Sequence, residues 1–137
     1  MALLLDTSGV IALLDRHDDG HAACIVVAAA EDALIVPPMT LVEIDYWCRK
    51  RGAAAAFSQF SRDIAQGAYE MATWTTADLA RAVEIADRYG DLDLGIVDAS
   101  IVALAERLAI TRVLTLDRRD FSVVRPRHCR ALTLLPS

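Results

Sequence analysis

The stretch Leu3-Leu4-Leu5-Asp6-Thr7-Ser8-Gly9-Val10-Ile11-Ala12-Leu13-Leu14 decides the fold class. Leu3 to Leu5 is a short apolar run without a period, as expected of a strand buried on both faces. Asp6-Thr7-Ser8-Gly9 punctuates it, and Val10 to Leu14 starts a helix. The same alternation runs outward along the chain. A helical stretch is predicted over 21–30, a strand over 34–36 closed by Pro37-Pro38, and a helix over 40–51 in which Thr40 and Glu43 have capping-box spacing. Gly52 breaks that helix, another follows over 53–66, and a strand is predicted over 69–73. Thr76 is read as the cap of a helix to about Tyr89, with Leu79, Ala82, Val83 and Ala86 spaced for one buried face. A helix over 94–108, a strand over 112–116 and a last strand over 131–135 complete the pattern. Strands alternating with helices build right-handed crossovers and a mostly parallel sheet. The expectation is α/β, a three-layer α/β/α arrangement with a mostly parallel central sheet, formed as a single domain over residues 1–137.

Composition narrows the function classes. A hydrophobic fraction of 55% and a mean hydropathy of +0.33 exclude a disordered chain. The longest apolar run, Ala22 to Ala30, is 9 residues, against about 20 needed for a spanning helix. The first residues lack the basic segment of a secretory signal, so a soluble, cytoplasmic protein with no membrane association is expected. Cys24, Cys48 and Cys129 have no CxxC spacing and read as buried apolar side chains in a reducing compartment. A chain this apolar should leave a patch exposed for a partner. The net charge of −5 is uneven, because residues 112–137 hold six Arg against Asp117 and Asp120. A negative bulk charge disfavours non-specific binding to polyanions, so any nucleic-acid contact must be local.

Four acids stand out by position. Asp6 follows the first strand directly and Asp117 follows the strand over 112–116. Functional groups of an open parallel sheet gather beyond the carboxyl ends of its strands. Glu43 lies in the first turn of the helix entered after the second strand, so it faces the same edge. Asp98 lies early in its helix, on a stripe with Leu94, Gly95, Ile101 and Val102. Each acid alone has an ordinary explanation as a cap, a dipole partner or a turn residue. Together they repel one another, and a carboxylate on an apolar stripe loses hydration as well. A hard divalent cation such as Mg²⁺ or Mn²⁺ removes that cost, since it prefers carboxylate oxygens. Asp15, Asp18 and Asp19 read as a solvated turn, while Asp91 and Asp93, before the Asp98 helix, are candidates for peripheral members of the site.

Other chemistries lack their residues. His17, His21 and His128 fall in polar, exposed-looking segments with no zinc-ligand spacing. There is no GxxxxGK[ST] or GxGxxG loop, and Ser8 is not in a GxSxG elbow. A haloacid-dehalogenase-like site asks for Asp-x-Asp, where this chain has Ser8. A response-regulator site asks for a late Lys, and the only Lys is Lys50.

Four segments occur in order: Leu4-Leu5-Asp6-Thr7-Ser8, the Pro38-x-x-x-x-Glu43 segment, Val97-Asp98-Ala99-Ser100 followed by Ala103-Leu104-Ala105-Glu106, and Val113-Leu114-Thr115-Leu116-Asp117-Arg118-Arg119-Asp120-Phe121. The series resembles the PIN domain, specifically the VapC-type toxins of toxin–antitoxin pairs, over essentially the whole chain. That resemblance implies a Mg²⁺-dependent endoribonuclease, with Mn²⁺ able to substitute. It implies Asp6 and Asp98 as principal metal ligands, Glu43 and Asp117 completing the catalytic set, and Thr115 and Thr7 as supporting hydroxyls. It implies RNA as substrate, a cognate VapB-type antitoxin as partner, and a homodimer. Arg118 and Arg119, beside Asp117, and Arg49-Lys50-Arg51, at the end of the Glu43 helix, are the groups placed to bind an RNA backbone. The alternative from a different class is a non-catalytic RNA- or antitoxin-binding module on the same fold, against which the intact set of four acids argues.

Overall fold

The structure, a computed structural model, describes residues 1–137. The elements run β1 (Ala2–Leu5), α1 (Thr7–Leu14), α2 (His21–Ala29), β2 (Ala33–Val36), α3 (Thr40–Lys50), α4 (Ala54–Ala65), β3 (Glu70–Met71), α5 (Thr76–Arg88), α6 (Ile96–Leu108), β4 (Arg112–Leu114) and β5 (Thr133–Leu135). The five strands form one sheet in the order β3-β2-β1-β4-β5. Every neighbouring pair is parallel, with Leu3 opposite Leu34, Leu4 opposite Val113, Ile35 opposite Glu70 and Val113 opposite Leu134. The predicted α/β sandwich with a parallel sheet is the observed one.

The pleat of β1 explains the two layers. Leu3 and Leu5 point to one face and join Val10, Ile44, Cys48 and Phe60, so α1, α3 and α4 cover that side. Leu4 points to the other and joins Ile85, Ala99, Ile101 and Val113 beneath α5 and α6. All three leucines are fully buried, and burying each contributes about 1.5–3 kcal/mol. Two ion pairs clamp α5 to α6: Arg81 Nε donates to Glu106 Oε1 at 2.7 Å and Arg107 Nε donates to Asp78 Oδ1 at 2.8 Å. No helix is long and apolar enough to cross a membrane.

Several local readings are corrected. The cap of α5 is Thr75, not Thr76: its hydroxyl accepts from Asp78 N–H while the Asp78 carboxylate accepts from Thr75 N–H. The buried stripe of α5 is therefore Asp78, Ala82 and Ile85, and Leu79 and Val83 are each 44% exposed. The Thr40–Glu43 capping box does not form, because Thr40 is already helical and its hydroxyl donates to Pro37 O at 2.7 Å. That leaves Glu43 free for another partner. The helix carrying Asp98 starts at Ile96 rather than Leu94, after a 3-10 turn over Gly90–Leu92 and a left-handed Asp93 (φ 53°). His21 and His128 are half-buried, each with a ring nitrogen 2.7 Å from a backbone carbonyl, Ala12 O and Ile110 O respectively. The strands are shorter than predicted: Thr73 lies outside β3 and Leu116 outside β4.

Gly9 sets the distance between α1 and β4. A Cβ there would stand 2.5 Å from Leu114 O, a backbone atom that cannot swing away. Gly9→Ala should therefore lower the unfolding free energy by about 1–3 kcal/mol, the range for forced overpacking, as read by urea denaturation. An unchanged midpoint would show that α1 does not need this close approach.

Candidate active site

The strand order reverses direction between β1 and β4, the switch point at which open parallel sheets bind ligands. Asp6 leaves the carboxyl end of β1 and Asp117 lies just past β4, one on each side of that point. A cleft of about 360 Å³ opens there. Asp6, Glu43, Asp98 and Asp117 all line it, so β1, α3, α6 and the segment after β4 each contribute one acid. Asp91 and Asp93 do not line the cleft.

Hydroxyl groups hold two of the acids. Thr115 Oγ1 donates to Asp6 Oδ2 at 2.8 Å and accepts from Asp117 N–H at 3.0 Å, joining the ends of β1 and β4 through one side chain. Ser8 Oγ donates to the same Asp6 oxygen at 3.0 Å and accepts from Leu116 N–H at 2.9 Å. Asp6 occupies the N-cap position of α1, yet its carboxylate makes no cap hydrogen bond; the hydroxyls take it instead. Thr7 Oγ1 donates to Glu43 Oε1 at 2.6 Å, the partner that the absent capping box released. Thr7 and Thr115, the hydroxyls that the family resemblance implies, each bond one of the acids. Ser8 was missed in that role; its signal was the Asp-x-Ser spacing, which lets a short hydroxyl side chain fold back on the carboxylate.

The electrostatics show a site short of positive charge. Asp98 is pushed up to about 7, first by desolvation and then by the charges of Asp6, Asp117, Glu43 and Asp120. Asp6 is 4% exposed, and burial raises its carboxyl above the ordinary range even though Thr115 and Ser8 pull it back. The positive ends of α1 and α6 face these acids and offset only part of the repulsion. No three His, Cys, Asp or Glu side chains stand close enough together, as they are placed, to hold an ion between them. What fits a hard divalent cation is the donor chemistry: oxygen-only carboxylates, in a cleft whose charge is uncompensated.

The basic residues divide. Arg51 lines the cleft, where Nη1 donates to Asp15 Oδ2 at 2.7 Å and approaches Asp18 Oδ2 at 3.4 Å. Asp18, read from sequence as solvated, also lines the cleft and has a side chain only 16% exposed. Arg118 is spent on the chain end, donating to Pro136 O and Leu134 O. Arg49 pairs with Asp45 one turn back on α3, Lys50 lies over the Tyr46 and Trp47 rings, and Arg119 is exposed. Of the basic residues singled out in the sequence, only Arg51 borders the cleft.

The raised carboxyl of Asp98 carries a sign. Its folded form holds a proton up to about 7 against an ordinary 3.8. The stability linked to that proton is full below 3.8 and is lost as pH rises through 7. Asp78 and Glu106 lose hydration too, but the Arg107 and Arg81 guanidiniums hold both carboxyls below their ordinary range. In metal-free buffer the protein should melt on the order of 5 °C lower at about pH 8 than at about pH 5.5, and Asp98→Asn should remove most of that difference. Equal melting temperatures for the unaltered chain at both pH values would contradict this electrostatic account.

Comparison with known proteins agrees with this geometry. The PIN domain family matches residues 3–125. The chain is 38% identical over 137 residues to ribonuclease VapC26 of Mycobacterium tuberculosis, an alignment spanning 98% of this chain and 100% of that one. Its fold superposes on the crystal structure of M. tuberculosis VapC20, a sarcin–ricin-loop-cleaving toxin, with a TM-score of 0.81 at 20% identity over 93% of this chain and 98% of that one. It also matches VapBC2 of Rickettsia felis, solved on a promoter DNA fragment, with a TM-score of 0.68 at 17% identity over 98% and 97% of the two chains.

Proposed function

The chain belongs to the PIN domain family, among its VapC-type members, and from that premise we propose that it is a divalent-metal-dependent endoribonuclease, the toxin of a toxin–antitoxin pair. The observation that supports this most is the convergence of four carboxylates from four separate elements on one cleft at the switch point. A fold has no structural need for that arrangement, which costs stability through repulsion and desolvation.

Asp6 and Asp98 would hold the ion, Mg²⁺ by preference with Mn²⁺ able to replace it, and Glu43 and Asp117 would complete the acidic set. When bound, the ion supplies positive charge to the scissile phosphate and lowers the pKa of water at the site. Thr115 and Ser8 both take Asp6 Oδ2, which leaves the orientation of Oδ1 fixed and its lone pairs outside those hydroxyl bonds. Thr7 fixes Glu43 in the same way through Oε1, so that Oε2 is presented to the attacking water and can receive its proton. Hydrolysis in line with the leaving oxygen joins the water oxygen to phosphorus and breaks the bond to the 3′ oxygen, which takes up a proton. The products are a 5′-phosphate and a 3′-hydroxyl, with no part for the ribose 2′-OH.

The partners follow the same reading: an RNA substrate, a VapB-type antitoxin and a second copy of the chain. Exposed apolar side chains support protein contacts, with Leu79 and Val83 on α5 and Val42 on α3, the last 77% exposed.

Purified protein given total structured RNA should cut it in Mg²⁺ and stop in EDTA, and Asp98→Asn should lower the rate by at least about a hundredfold. Cutting that survives both changes would sink the proposal. Thr115→Val should keep the fold and lower kcat about tenfold with little change in KM, since it disorients Asp6 without touching RNA. Thr115→Ser should restore most of the rate, whereas a Val variant as active as the original would remove Thr115 from the site.

A further inference from the structure

Glu43 in the first turn of α3, Trp47 one turn on and Arg51 at the C-cap fall at i, i+4 and i+8, and all three line the cleft. At 1.5 Å per residue the acid, the indole and the guanidinium succeed one another about every 6 Å along α3. Trp47 is an unusual residue for such a wall. It is 40% exposed, although an indole gains a large area when buried. Tyr46 beside it is 55% exposed, with the two rings edge to face at a centroid separation of 5.5 Å. The Lys50 ammonium lies 5.7 Å from the Tyr46 centroid and 5.2 Å from that of Trp47. Aromatic surface interleaved with cations, continuous with an acidic cleft, is the chemistry that binds an unpaired nucleotide. A base stacks on the ring, and the adjoining phosphates meet the positive groups. An acidic peptide would use the cations alone and leave the rings idle, while an apolar peptide would bury Lys50.

We propose that Trp47, supported by Tyr46 and Lys50, is a stacking platform for an unpaired base next to the scissile phosphate. This rests on the ribonuclease reading of the cleft. Arg51 stands one turn farther on and meets the next phosphate. Its bonds to Asp15 and Asp18 are those of a partly exposed ion pair, which contributes little and exchanges readily. Trp47 is then a specificity-determining residue rather than a metal ligand or a proton carrier.

The test uses the full chain carrying Asp98→Asn and a fluorescein-labelled single-stranded RNA 12-mer of randomised sequence, read by anisotropy in EDTA. Trp47→Leu should weaken binding about tenfold or more, the loss expected for one stacked base, while Trp47→Phe stays within about threefold. Binding of the same RNA as a perfect duplex should be weaker and indifferent to both changes. In the chain with Asp98 intact, Trp47→Leu should raise KM more than it lowers kcat. Equal affinity of the Leu variant for the single strand overturns the platform, as does an equal loss in the Leu and Phe variants; in the first case the exposed rings belong to a protein contact. The two readings fail separately. An intact chain that cuts no RNA but loses single-strand binding with Trp47→Leu defeats the nuclease and keeps the platform. A chain that cuts RNA at the same KM with or without the indole defeats the platform and keeps the nuclease.

Discussion

The hydrogen bond from Thr115 Oγ1 to Asp6 Oδ2, 2.8 Å long, crosses the gap where the sheet reverses its strand order. Asp6 follows β1 and Thr115 follows β4, and the backbone ladder continues beside them through Asp6 N–H to Leu114 O at 3.0 Å. The hydroxyl answers a specific difficulty. A carboxylate 4% exposed has lost most of its water, and the nearest opposite charge on a side chain is not within reach. Two neutral donors, Thr115 and Ser8, replace part of that hydration without neutralising the charge. The same hydroxyl accepts from Asp117 N–H, so a single side chain places two of the four acids.

Everything that brings the cleft together is conditioned by this narrow crossing. α1 must begin immediately after Asp6, and its first turn must lie against β4, which is why position 9 has no side chain. Pro37-Pro38 closes β2 and turns the chain into α3, where Thr40 satisfies Pro37 O and Glu43 is left to Thr7. On the other face, Gly95 opens α6 so that Asp98 enters the cleft in the first turn while Ala99, Ile101 and Val102 bury themselves below it. The two ion pairs between α5 and α6 hold that helix in register, and they lie away from the cleft.

Most of this was legible in the chain because burial on both faces of a parallel strand leaves an unbroken apolar run, and an acid directly after such a run has only one edge to occupy. Leu3–Leu5 with Asp6 is of that kind, and Val113–Leu114 comes near it, with Thr115 and Leu116 between the run and Asp117. The errors came where two local rules competed. Thr75 and Thr76 are both good caps, and the choice was settled by Asp78, three residues beyond Thr75, whose carboxylate also meets Arg107. The spacing of Leu79 and Val83 with Ala82 and Ala86 points to a buried face, but tertiary packing leaves both large side chains exposed. The Thr40–Glu43 pattern was a sound local signal overridden by Thr7, a partner 36 residues away. Arg118, adjacent to Asp117, looked aimed at a phosphate, but proximity in sequence did not show that the carbonyls of Leu134 and Pro136 would take it.

The cleft also explains a division of labour that charge counting misses. Residues 112–137 carry the excess of Arg, yet among the basic residues of the chain the one lining the cleft is Arg51, at the end of α3. A cation closer to the acids would pair with them and quench the negative potential that draws a divalent ion. Arg51 pairs with Asp15 and Asp18 rather than with the four acids. Separating Glu43 from Arg51 by about two turns, with an indole between them, lets α3 and its C-cap present opposite charges along the same wall without their cancelling. The neutral ring between them is therefore part of the electrostatic design, because it spaces the two charges while offering a surface that every base can use.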